Sequence, residues 1–228
     1  MNKASLMMVP VVLVGALVQS NVAMAQGTIV GKVGTLGAGI EYVHPFSSKL
    51  ALGLGLNGLS YDEAIEESDI DYDATLDMQT FALIGDFHPF ANGFRLSAGV
   101  MHNGNEFSLE GTPTGSETVN INGKDYEASD IGSLESLIGF KSTAPYLGIG
   151  WGKTPNSGKG WGFDADLGVL FQGTPIVSLT ANCSQALKDA GGCDELQDNV
   201  AEEEKDLAVD SEEFEIFPVI SIGASYTF

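Results

Sequence analysis

Basic residues are scarce in this sequence. Ten lysines and arginines stand against 31 aspartates and glutamates in 228 residues, a formal net charge of −21. A phosphate backbone is held by clustered Lys and Arg, so this balance excludes nucleic acid as a partner. There are only two cysteines, too few for a disulfide-dense scaffold or a four-cysteine zinc site. Proline is limited to 8 residues while glycine reaches 29, well above the usual ~7% but without the proline of a collagen-like chain. At 43% hydrophobic residues, the chain is too apolar to be a wholly disordered acidic polymer. Long hydrophobic runs are also missing, apart from Leu6 to Val18.

That run has the form of a secretory signal. Lys3 supplies a short positive n-region, Gln19 to Asn21 break the apolar stretch, and Ala23-Met24-Ala25 gives a small-residue cleavage pattern. The stretch is short against the ~20 residues of a spanning helix. Residues 1–25 are therefore expected to be removed and residues 26–228 to form the mature protein. Past Gln26, the stretches without charge are rich in glycine and interrupted by polar residues, so no further membrane helix is expected.

What the mature chain has instead is period-two alternation, the mark of strands. Leu50, Leu52, Leu54 and Leu56 alternate with Ala51, Gly53, Gly55 and Asn57. Phe94, Leu96, Ala98 and Val100 alternate with Arg95, Ser97, Gly99 and Met101. The same holds from Trp161 to Gln172 and from Ile216 to Phe228. One face is large and apolar, the other small and polar. A soluble sandwich would bury the large residues and show charge to water. Large residues facing lipid and small ones facing inward suit a narrow closed barrel, the one spanning structure besides a helix that satisfies every backbone hydrogen bond in hydrocarbon. The expected fold is an all-β, transmembrane, antiparallel up-and-down barrel in a Gram-negative outer membrane.

The alternation predicts strands over about 35–44, 50–61, 75–88, 94–110, 134–151, 161–180 and 214–228. Thr28 to Val33, turning at Gly34, makes the eighth, since such barrels have even strand numbers. Ten strands, with an extra hairpin between 112 and 135, is the alternative. Short connections (45–49, 89–93 and 152–160) alternate with long ones (62–74, 111–133 and 181–213), which sets the short turns in the periplasm and the long loops outside. His44-Pro45-Phe46 and His88-Pro89-Phe90 end two strands in the same way, as a duplicated hairpin would. Trp151 and Trp161 flank one short turn at outward positions, where an interfacial aromatic belt belongs.

The chain ends in Ser225-Tyr226-Thr227-Phe228, with Ala224, Ile222 and Ile220 stepping back from Tyr226 at every second position. This resembles the C-terminal signal read by the barrel-assembly machinery. With the strand from Pro145 to Trp151, the chain resembles the small outer-membrane barrel families: the opacity-like porins and the outer membrane protein W and X families. The resemblance implies a partner in the assembly machinery. It places Tyr226 and Phe228 with the two tryptophans at the membrane interface. The short first strand and the acidic loops depart from those families.

Residues 62–73 hold seven acids and no base, and residues 183–215 hold twelve acids against Lys188 and Lys205. With 103–139, the expected outer loops carry 26 of the 31 carboxylates, while Lys49, Lys153 and Lys159 fall in periplasmic turns. Such loops face lipopolysaccharide phosphates. Divalent cations could bridge the two, because carboxylates are the hard oxygen ligands that calcium and magnesium take, although solvated loops need no metal. Asp69, Asp71 and Asp73 begin like a calcium loop, but Ala74 stands where glycine is required and Thr80 where the bidentate glutamate belongs. Cys183 and Cys193 lie in the last loop, in an oxidising compartment, and are expected to pair. Residues 194–207 have the sparse apolar stripe of a short helix, in Leu196, Val200 and Leu207.

Inside the barrel, Arg95, Asp164, Asp166 and Glu41 are expected to face the lumen and pair across it. Two functions follow from this. One is a closed structural or surface-interaction barrel with a polar plug. The other is a narrow conduit for small solutes, cationic or hydrophobic, selected by the same charges. A lipid A-modifying enzyme built on His102, Ser108 and Glu106 is the weakest alternative, and no catalytic role is expected.

Overall fold

The computed structural model describes residues 27–67, 70–113, 118–152, 154–155 and 157–228. The signal segment 1–25, Asp69 and Lys153 lie outside the described residues. The strands are Thr28–Gly34 (β1), Gly37–Pro45 (β2), Leu50–Glu67 (β3), Ile70–Phe87 (β4), Phe94–Asn103 (β5), Glu106–Pro113 (β6), Thr118–Ile121 (β7), Lys124–Glu127 (β8), Ile131–Gly139 (β9), Thr143–Trp151 (β10), Gly160–Phe171 (β11), Ile176–Cys183 (β12) and Ile216–Thr227 (β13). Two helices, Gln185–Asp189 (α1) and Cys193–Asp210 (α2), lie between β12 and β13.

Eight strands close a ring. β1, β2, β3, β4 and β5 pair in sequence order. β5 then pairs with β10, β10 with β11, β11 with β13, and β13 returns to β1. All these pairings are antiparallel. The alternation decides the two faces. Leu54, Leu56, Phe81, Leu83, Leu96, Val100, Leu147, Ile149, Phe163, Leu167, Ile220 and Ile222 are all exposed around the outside. An apolar band this continuous is what lipid requires and water does not tolerate.

Above the barrel the strands form a second structure that the sequence reading missed. The segment 62–74 is not a loop. β3 and β4 stay paired up to Glu67 and Ile70. β6 adds to the upper part of β4, β9 to β6, and β12 to β9, giving an outer sheet continuous with the barrel wall. Three expected strands are each two strands. The span 94–110 breaks at Gly104 and Asn105, where the Gly104 N–H bonds the Gln79 carbonyl at 2.8 Å. The spans 134–151 and 161–180 break between β9 and β10 and between β11 and β12. The breaks leave the pairing in step: β5 and β6 both pair with β4 in one register (Thr80 with Asn103, Asp77 with Glu106), and β10 and β9 face them in one register likewise (Thr143 with His102, Gly139 with Glu106), so the outer sheet is the barrel wall carried upward. The hairpin expected between 112 and 135 exists as β7 and β8, but it forms its own two-stranded sheet and adds nothing to the barrel.

There are two cores. One fills the outer half of the lumen with Leu36, Met78, Met101, Tyr146, Leu170 and Val219. The other lies in the outer lobe, where α2 buries Leu196 and Val200 against β12 and the β7–β8 hairpin.

Candidate functional site

The lumen holds one connected ionic network, halfway along the barrel. Arg95 on β5 makes a two-pronged contact with Asp164 on β11, Nη1 to Oδ2 at 3.0 Å and Nη2 to Oδ1 at 2.9 Å. Its Nη2 also donates to Asp166, and its Nε stands 3.8 Å from Asp86 on β4. The Ser97 hydroxyl donates to Asp86 at 2.5 Å and the Ser221 hydroxyl donates to Asp166 at 3.2 Å. On the far wall, Lys32 of β1 is ion-paired to Glu41 of β2 and lies 3.7 Å from Asp166. Six strands are thus tied through side chains as well as through the sheet.

Glycine makes room for this. Arg95 reaches from β5 to β11 by lying flat across β10, and a Cβ on Gly150 would come within 2.6 Å of its Nε. Likewise the Tyr146 ring lies over Gly168, where a Cβ would come within 2.5 Å of it. The high glycine content therefore works on the lumen side, clearing wall positions that long side chains cross.

Four carboxylates share two cations in this network. The space around it is divided in two. A small hollow of about 30 Å³ lies on the outer side, lined by Lys32, Asn57, Ser97, Met101, Tyr146 and Asp166 among others. Another of about 30 Å³ lies on the periplasmic side, lined by Thr28, His88, Pro155, Asp164, Ser225 and Thr227 among others. Arg95, Asp86 and Glu41 border both hollows. Outward of the first hollow the apolar residues close in, and Leu170 has no exposed surface at all.

The structure thus brings Arg95, Asp164, Asp166 and Glu41 together and adds Lys32 and Asp86, which sequence reading did not pick out. The expected inner face was polar throughout, but its outer half is an apolar core. Alternation gives the side of the wall and not the chemistry of the layer, and Met78 and Met101 point inward by that same alternation.

Around the periplasmic rim the aromatics gather. Trp161 is 77% exposed and meets Tyr226 edge-on at 5.3 Å, and Trp151 is 57% exposed, 6.5 Å from Phe94. The terminal Phe228 is tied by its N–H to the Gly27 carbonyl at 3.1 Å. The two His-Pro-Phe triplets are not equivalent. His44 sits beside Tyr42 and Phe46 on the outer face, while His88 is buried on the lumen side with Nδ1–H donating to the Asn92 carbonyl at 3.0 Å. A strict hairpin duplication would have kept them on the same face.

Cys183 and Cys193 form a disulfide joining the end of β12 to the start of α2. Asp71 and Asp73 lie on β4 in the outer sheet, not in a loop, and among the described residues no group of three or more His, Cys, Asp or Glu is arranged to hold a metal ion. His102 lies on the outer face of β5, Ser108 and Glu106 lie on β6, and among the described residues no hydrogen bond joins His102 to either. These three therefore do not make a triad.

No family model and no curated protein matches this chain in sequence. Two solved structures share its architecture. The crystal structure of Acinetobacter baumannii CarO2 superposes with a TM-score of 0.58 at 21% identity, covering 89% of this chain and 98% of that one. The crystal structure of Acinetobacter baumannii CarO gives 0.57 at 22% identity, covering 92% and 100%. What is shared at that identity is the fold. The finer resemblance to the opacity-like and protein W and X families still rests on the C-terminal residues alone. From the closed ring, the lipid-suited exterior and these matches, the chain is an eight-stranded transmembrane β-barrel of the Gram-negative outer-membrane type.

Proposed function

We propose that this protein is a closed outer-membrane barrel whose work is structural and external: it anchors a rigid acidic lobe at the cell surface. The observation that carries this is the double closure of the lumen, ionic at Arg95 and apolar at Leu170 and Tyr146. A wall built to conduct would keep a continuous polar path. In this reading, residues 1–25 direct export and the strand ending at Phe228 is presented to the barrel-assembly machinery. Outer-membrane lipid meets the wall and lipopolysaccharide meets the outer rim, with divalent cations as bridges to the acidic loops. No cofactor and no catalytic residue enter it.

Refolded protein in planar bilayers tests the reading, with the expected result a silent membrane. Steady single-channel steps from the wild-type protein would overturn it in favour of the conduit. That second reading has one observation in its favour: hollows on both sides of the network, so that only the ion pairs separate them and the apolar layer alone lies outward of both. Location is tested separately. The mature protein should fractionate with the outer membrane and show a heat-modifiable band on a denaturing gel. Recovery in soluble periplasm without a band shift would refute the placement.

A further inference from the structure

The outer sheet has two edges, and only one is protected. At β12, α2 covers the open backbone: the Gln197 amide donates to the Ala181 carbonyl at 2.6 Å and Glu204 accepts the Leu179 N–H at 2.9 Å. At the opposite edge, β3 pairs with β2 only as far as Gly58 and above that with β4 alone. From Leu59 to Ile65 every residue is exposed, whichever face it points to. In a strand paired on one side, every second residue turns its N–H and C=O away from the partner. Among the described residues this stretch therefore shows a row of unused donors and acceptors, about 23 Å long at ~3.3 Å per residue.

Side chains add a face and a sign. Leu59, Tyr61 and Ile65 share one face, beside Leu76 and Phe107 across the register, and Leu59, Tyr61, Ile65 and Phe107 are all exposed. Residues 62–67 hold four acids and no base. A second copy laid against this edge would set carboxylate against carboxylate, which disfavours pairing. Lipopolysaccharide phosphates are repelled for the same reason. A strand that carries lysine or arginine meets opposite charges and offers apolar side chains to Tyr61 and Ile65.

We propose that the β3 edge from Leu59 to Ile65 receives an extended polypeptide segment, basic and apolar residues alternating, that adds as a further strand to the outer sheet. This rests on the reading of the lobe as an outward-facing interaction surface.

The test uses the full mature protein in lipid nanodiscs and a labelled nonapeptide of alternating lysine and valine, followed by fluorescence anisotropy. Binding is expected. A strand at an edge uses only alternate N–H groups, so N-methylation of one alternate set should weaken binding at least tenfold and methylation of the other set should not. Asp62→Lys with Glu63→Lys should weaken the unmodified peptide by a similar factor. No binding, or equal weakening by both methylated sets, overturns the proposal, since the second result describes charge attraction without strand addition. Concentration-dependent dimerisation of the free protein, lost in Ser60→Pro, also overturns it by assigning the edge to a second copy. The same preparation is placed in planar bilayers. A conducting barrel that binds the peptide overturns the closed-barrel reading alone, and a silent barrel that ignores it overturns this proposal alone.

Discussion

Arg95 is the residue on which the lumen depends. It contacts three carboxylates from two strands. Removing one partner of a buried pair leaves the other uncompensated, at about 3–5 kcal/mol when fully desolvated and less where water enters. Arg95→Ala should therefore unfold at lower urea concentration, read by tryptophan fluorescence, and Arg95→Lys should recover only part of the loss because an ammonium lacks the two-pronged fork. Gly150→Ala should destabilise through the same network, since the new Cβ occupies the path of the guanidinium. His88 sets a pH limit at the periplasmic mouth. Burial, and to a lesser degree the charge of Arg95, holds its imidazole below the usual histidine range, partly offset by its bond to the Asn92 carbonyl. The unfolded chain takes up that proton first, so the stability it gives is full above about pH 6.5 and declines as pH falls below it. His88→Gln should flatten that part of the urea-midpoint profile; an unchanged slope would show that His88 is not its source. Arg95, Asp164, Asp166 and Glu41 were legible in the sequence because their neighbours alternate cleanly. Lys32 was not, because Ile29, Val30 and Val33 blur the two faces of β1. Nor was Asp86, since Ala82, Leu83 and Ile84 are apolar on both sides of β4 and hide which way the strand points.

At the scale of the element, the alternation read from sequence ran through the short breaks where the wall passes into the outer sheet, and around Gly104 the pairing register runs through as well. β5 and β6 keep the same pattern on either side of Gly104, and nothing in the residues says that one half belongs to the membrane and the other to the lobe. The strand spans were therefore right about extended chain and its neighbours, and did not show that the outer halves rise above the wall into a lobe. The α2 stripe of Leu196 and Val200 was readable, but not what it covers. Polar clamps hold α2 in place: Lys124 pairs with Glu195 at 2.5 Å, the Asn199 amide donates to the Tyr126 hydroxyl at 2.6 Å, and Glu203 accepts the Asn122 N–H at 2.9 Å. The Cys183–Cys193 disulfide fixes the first turn of the same helix. Closing so short a loop contributes roughly 2–3 kcal/mol in the chain-entropy model. Both cysteines should react with a thiol label only after reduction, and full labelling of the unreduced folded protein would contradict the bond. Replacing both with serine should expose residues 184–210 to protease while the barrel stays closed, because no strand of the wall lies in that span.

The whole molecule combines two bodies with different sources of stability. The barrel is a closed ring in which each wall strand has a neighbour on both sides, and its exterior is matched to lipid. The lobe depends on a small second core, one disulfide and a helix that carries many carboxylates and few bases. It is joined to the wall through the upper halves of β3 and β4 and through the chain at Gly104 and Gln172, where wall strands run on into the outer sheet. Local unfolding follows the smaller core and the more exposed hydrogen bonds, and self-repulsion among the α2 carboxylates acts on the lobe alone. The two bodies should therefore melt separately. In the presence of reductant and moderate urea, protease should cut within residues 118–130 and 184–210, outside the wall strands, while the nicked barrel keeps its heat-modifiable mobility on a denaturing gel. Raising the salt concentration should move the first transition upward by screening the helix carboxylates and leave the second nearly unchanged, since the lumen ion pairs are buried. A single transition, with protease sensitivity and loss of the band shift appearing together, would mean that the lobe and the wall are one cooperative unit, and that the lobe helps to hold the barrel shut.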